Sequence, residues 1–157
     1  MTRTRRILAC AALAATLALA GCSTTVSLTP ADDANNPHCA DVMVRLPGTI
    51  STSDRVWTDA QATASWGTPS AVILACGVAV PGPTTLKCVS FHGVDWIIQP
   101  EKDNTYRVTT FGRKPAVQLL IDTRKIDSNA VLSAVSLAAT TLPQHGDGCT
   151  APETPAS

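Results

Sequence analysis

The chain has 157 residues, with twelve basic and twelve acidic side chains that cancel to a formal net charge of zero, and six cysteines. It carries no basic patch and no aromatic-basic interleaving, which argues against nucleic acid as a partner. The length allows one folded domain and not two, and no internal repeat is visible.

Arg3, Arg5 and Arg6 make a positive start with no acidic residue near it, and Ile7 to Ala20 is an uncharged run rich in Ala and Leu. That run has the length of a signal-peptide core and falls short of the roughly 20 residues that span a bilayer. It ends in Leu19-Ala20-Gly21-Cys22, which matches the bacterial lipobox. Residues 1–21 are therefore expected to be a lipoprotein signal peptide, and Cys22 the lipidated residue. Such a chain is attached by lipid to the extracytoplasmic face of the cell membrane. A single acyl chain holds only marginally, whereas the diacylglyceryl group of a lipoprotein holds firmly. Thr4-Arg5-Arg6-Ile7-Leu8 matches a twin-arginine export signal incompletely, so general secretion is the expected route. Cleavage removes three of the twelve basic residues, leaving nine against twelve acidic and a net charge of −3. Attachment would then depend on lipid and not on attraction to anionic headgroups.

Cys10 leaves with the signal peptide and Cys22 goes to lipid, so Cys39, Cys76, Cys88 and Cys149 remain. An even set in an exported chain reads as two disulfides, with three possible pairings. The favoured one joins Cys76 to Cys88 across a hairpin turn at Val80-Pro81-Gly82-Pro83-Thr84, and Cys39 to Cys149 across the ends of the domain. The short loop would contribute about 3 kcal/mol. Structural zinc sites show close cysteine pairs, which these cysteines lack, so no metal and no cofactor are expected.

After Cys22, the stretch to residue 35 is rich in Ser, Thr, Pro, Asp and Asn and reads as a flexible tether. The folded part is expected at 36–149, with a disordered tail at 150–157. Asn36 suits an N-cap and Pro37 the first helical position, with Cys39, Val42, Met43 and Leu46 on one apolar face before Pro47-Gly48. Thr49 to Thr58 is ambiguous. Ala62, Ala64 and Trp66 alternate, and Ala71 to Val78 is a continuous apolar run, as for a buried strand. Lys87 to Phe91 follows, then His92-Gly93 as a two-residue turn. Alternation resumes at Val94, Trp96 and Ile98, at Tyr106, Val108 and Thr110, and at Val117, Leu119 and Ile121. Asp127 or Ser128 then caps a helix with Val131, Ala134, Val135, Ala138 and Leu142 on one stripe, ended by Pro143. The fold class expected is α+β. It is an antiparallel meander of about five to six strands, flanked by an N-terminal and a C-terminal helix and stabilised by disulfides.

Cys39-Ala40-Asp41-Val42 with Leu46-Pro47, Trp66-Gly67-Thr68-Pro69, Cys76-Gly77-Val78, Gly93-Val94-Asp95-Trp96 and Gly112-Arg113-Lys114-Pro115-Ala116-Val117 occur in that order. Together they resemble an actinobacterial family of exported proteins and lipoproteins catalogued as a domain of unknown function. The resemblance covers nearly all of 36–142. It implies an envelope location with one cytoplasmic membrane and a loose pointer towards the cell wall, but no activity.

Catalytic motifs are sparse. There is no nucleophile elbow, S-x-x-K, H-E-x-x-H, P-loop or dinucleotide fingerprint. His145-Gly146-Asp147-Gly148-Cys149 superficially resembles the cysteine motif of L,D-transpeptidases, without the arginine that follows the cysteine there. Cys149 is also needed for an even disulfide count. Asp95 beside Trp96 is a candidate acid or base only if it is buried. Alternation instead places the two on opposite faces, leaving Asp95 solvated or bonded to a turn amide. Asp95, Trp96 and Arg113 stand as weak binding-site candidates, with Arg113 at a hairpin tip. The expectation is a non-catalytic binding or accessory lipoprotein, its partner an envelope protein or cell-wall component. The alternatives are a peptidoglycan-related enzyme and a small-ligand-binding lipoprotein.

Overall fold

The computed structural model describes residues 25–150. The expected signal peptide, the expected lipidation site at Cys22 and residues 151–157 of the expected tail lie outside them. The order is α1 (Pro37–Met43), β1 (Thr49–Ile50), β2 (Ser53–Val56), β3 (Thr63–Trp66), β4 (Val72–Val78), β5 (Lys87–Phe91), β6 (Val94–Pro100), β7 (Thr105–Phe111), β8 (Ala116–Asp122) and α2 (Ser128–Ala139). The fold is α+β with an antiparallel sheet, and its eight strands exceed the five or six expected. The ambiguous stretch after Pro47 supplies the difference, folding into the β1–β2 hairpin.

Local chemistry explains most elements. Asn36 accepts from the His38 amide ahead of Pro37, and Asp127 accepts from the Ala130 amide, so both helices start where their caps stand. His92 and Gly93 both adopt positive φ, 49° and 73°, as the turn between β5 and β6 requires.

The strands run in the order β1-β2-β3-β4-β8-β7-β6-β5. Two consecutive meanders therefore meet where β4 pairs with β8, with Leu74 opposite Leu119. One face is largely apolar from β3 across to β6, with Arg55 of β2 and Lys87 of β5 at its two sides. Ala64, Leu74, Leu119, Val108 and Ile98 lie in register along one row, and Val89, Trp96 and Thr110 along the next. Both helices cover this face: Cys39 of α1 is bonded to Cys76 of β4, and Trp96 Nε1 of β6 donates to Ser136 Oγ of α2 at 2.8 Å. Val131, Val135, Ala138 and the following Leu142 are buried against it.

The four cysteines form two disulfides, but not the favoured pairs. The bonds are Cys39–Cys76 and Cys88–Cys149, with Cα separations of 5.6 and 6.3 Å. Three strands separate β4 from β5 in the sheet, about 19 Å at four strand spacings. Cys76 and Cys88 also face opposite sides, since Cys76 lies opposite Val117 and Cys88 opposite Ile97. The Pro-Gly-Pro segment is thus a crossover from the middle of the sheet to its edge, not a hairpin turn.

The expected tether is also corrected. From Val26 onward the chain is docked: the Val26 amide donates to Trp57 O at 2.8 Å, Leu28 N to Asp59 Oδ1 at 2.9 Å, and Asp33 N to Gly77 O at 3.1 Å. Ala34 is buried. Gly77, at φ +92°, permits this approach, because a Cβ there would collide with the Asp33 backbone and come within 2.6 Å of Ala34 N.

Candidate functional site

The helix-free face of the sheet is crossed at its β5–β6 end by the segment after α2. Gly112, at φ +66°, accepts from the His145 amide at 2.7 Å, and Lys114 N donates to Pro143 O at 3.2 Å. Arg113 sits at the junction. Its guanidinium donates to Leu142 O at 2.6 Å, Gly93 O at 2.9 Å and Thr140 O at 3.4 Å, tying the end of α2 to the β5–β6 turn. Burial pulls the Arg113 guanidinium down from its ordinary value, and the charge of Asp95 opposes that shift.

Asp95 faces this side, as alternation requires, and Trp96 the other. The Asp95 carboxylate accepts from the Cys149 amide at 2.8 Å. The Cys88–Cys149 bond closes the same strap onto β5. Gly148 lets the backbone pass, since a Cβ there would collide with Asp95 Oδ2. The three weak candidates therefore divide. Asp95 and Arg113 come together at the strap, whereas Trp96 is fully buried in the core with its indole N–H on Ser136.

Between the strap and the Pro-Gly-Pro crossover lies a groove of about 860 Å³. Val80, Pro81, Pro83, Leu86, Ile97 and Phe111 give it apolar walls, and Gly146 and Gly148 contribute main chain. Sequence reading missed this wall because its residues come from four separate segments. Gly148, two residues beyond Gly146 and next to a cysteine, was the one local signal. Chemically, Cys88 and Cys149 are both held as a disulfide and offer no thiolate. Asp95 and Arg113 are committed to main-chain groups. Among the described residues, no three His, Cys, Asp or Glu side chains gather so that they could hold a metal ion.

A second groove, of about 820 Å³, lies at the other end of the sheet between α1 and the residues after β2. Val44 and Trp57 line it. They are the most exposed large apolar residues described, at 78 % and 76 %. Arg55 crosses its base, donating to Met43 O at 3.4 Å with its guanidinium 5.9 Å from the centre of the Trp66 ring, and burial lowers its pKa. Asp59 is held below the usual carboxylate range, first by the Leu28 amide and then by Ser27.

A family model described as "Protein of unknown function (DUF3515)" matches residues 6–146. The chain belongs to this family. No curated protein and no solved structure matches it. For this DUF3515 chain, function has to be argued from its own residues. No helix among those described is long and apolar enough to cross a membrane.

Proposed function

We propose that this DUF3515 protein is an exported lipoprotein, anchored through Cys22, that acts as a non-catalytic binding or accessory protein at the outer face of the membrane. The observation that carries the binding reading is the state of the groups around the larger groove. The thiols that line it are spent on a disulfide, and Asp95 and Arg113, beside the groove and outside its lining, hold the strap. A groove with apolar walls and a polar rim that includes Thr84, Thr85, Lys87, His145 and Asp147 suits ligand recognition. Two disulfides also fit an oxidising compartment, where lipidation of Cys22 would leave the chain.

The groove's volume falls in the range of small-molecule sites, roughly 300–1,000 Å³, so a small apolar ligand is the second reading. The test is photocrosslinking from a reactive residue placed at Leu86, in the intact lipoprotein in its own membrane. A specific envelope protein or wall fragment joined there supports the proposal. Catalytic turnover of peptidoglycan or its precursors by the purified protein, lost in Asp95→Asn, would overturn it. Copurification of a small apolar molecule displaced by Leu86→Arg would favour the second reading.

A further inference from the structure

We propose that the edge of the domain carrying Trp57 and Val44 lies in the headgroup layer of the membrane that holds the lipid anchor, so that the domain is oriented on the bilayer. The proposal rests on lipidation of Cys22, and adds a docking surface and its partner. Val26 forms a bridge with Thr58, its amide donating to Trp57 O at 2.8 Å and its carbonyl accepting from Asp59 N at 3.3 Å. Cys22 precedes Val26 by four residues. A fully extended chain of that length spans at most about 14 Å. The headgroup region on each side of a bilayer is itself about 5–8 Å thick. An anchor in the membrane therefore keeps Trp57 close to the interface, whatever path the four residues take.

The surface presented there suits that place. Tryptophan, with an apolar body and one N–H, favours the membrane–water interface. Trp57 and Val44 are both more than three-quarters exposed and line one groove, whereas Trp66 and Trp96 are fully buried. The charged groups of the groove are Arg55 and Asp59, one of each sign, and both are engaged within the protein. Contact would thus come from apolar burial, not from attraction to anionic lipid. Because the anchor already confines the domain, even a weak contact would be occupied most of the time.

At the opposite edge of the sheet, β5 is six strand spacings from β2, about 29 Å. Docking by the Trp57 edge would turn the larger groove away from the membrane, towards partners in the envelope.

The test uses the mature protein extracted from its own membrane and reconstituted into phosphatidylcholine vesicles, with mass spectrometry of its N-terminal peptide reporting the lipid. Lipids brominated near the top of the acyl chain should quench part of the tryptophan fluorescence. Trp57→Phe should abolish that loss, leaving the emission of the two buried tryptophans. Adding phosphatidylglycerol should not change it. Trp57 unquenched by bromolipid and fully accessible to external iodide, in a lipidated protein, would overturn the docking and leave the anchor standing. Shielding from iodide without bromolipid quenching would assign the patch to a second copy or another protein, and also overturn it. An N-terminus without lipid would remove the anchor and the docking together.

Discussion

Replacing Gly77 with alanine tests how firmly the segment from Val26 to Asn36 is held. At φ +92° a residue with a Cβ is strained, at a cost of about 1–3 kcal/mol. The new methyl would also collide with the Asp33 backbone and sit within 2.6 Å of Ala34 N, so one side has to give. β4 is paired on both edges, whereas the segment at Asp33 is joined to this strand by the Asp33 N–Gly77 O bond. The segment is expected to yield, with loss of that bond at about 1 kcal/mol. Burial of Ala34 would be lost too, at about 0.8 kcal/mol for its methyl group. The sum is about 3–5 kcal/mol, limited by the ease with which the segment detaches. Urea unfolding of the mature chain measures the loss, and cleavage by an Asp-directed protease at Asp32–Asp33 measures the detachment. A Gly77→Ala protein with an unchanged midpoint and an unchanged cleavage rate would refute the docked path of residues 26–36.

Other changes probe separate parts of the fold. Non-reducing peptide mapping should recover Cys39–Cys76 and Cys88–Cys149, and Cys88→Ser with Cys149→Ser should cost about 4 kcal/mol in urea unfolding, from a loop of 61 residues. Ser136→Ala leaves the fully buried Trp96 indole N–H without its partner, and calorimetry should show a loss of about 1–3 kcal/mol. Arg113→Lys replaces a guanidinium that reaches three carbonyls, so hydrogen exchange at the end of α2 and in the strap should quicken while the strands of the sheet stay protected. Asp122 is held well below its ordinary value of 3.8, first by hydrogen bonding to the Arg124 side chain; burial, the next effect in size, opposes this, and the Arg124 amide and Lys125 then add to it. A depressed folded pKa gives stability that is present above the unfolded value and lost as pH falls through the folded one. Asp122→Asn should therefore flatten the fall in stability below about pH 4, and an unchanged acid limb in urea titrations would contradict the linkage.

What was legible in the sequence was local. Asn36-Pro37 and Asp127 mark helix starts because capping involves neighbouring residues, and His92-Gly93 marks a turn because few residues tolerate its backbone. Alternation from Val94 to Ile121 reports burial on one face, so the core residues and the side facing the helices could be read. Strand order could not. Leu74 meets Leu119 across 45 positions, and nothing near either residue shows whether β4 pairs with β8 or with β5. The disulfide pairing failed for the same reason, since it assumed that strands adjacent in sequence are adjacent in the sheet. The segment after Cys22 reads as a tether because its composition is polar. It docks through main-chain amides at Val26 and Asp33, which any residue but proline supplies. Asp95 and Arg113 were found as charged residues in short motifs, but their task depends on chain folding back from 27 to 54 residues further on.

The most direct test of the lipoprotein reading is intact mass and N-terminal peptide analysis of the protein extracted from its own cell membrane. The account predicts a chain beginning at Cys22, with a diacylglyceryl group on its thiol. A processed chain beginning elsewhere, or one beginning at Cys22 with a free or disulfide-bonded thiol, would contradict it.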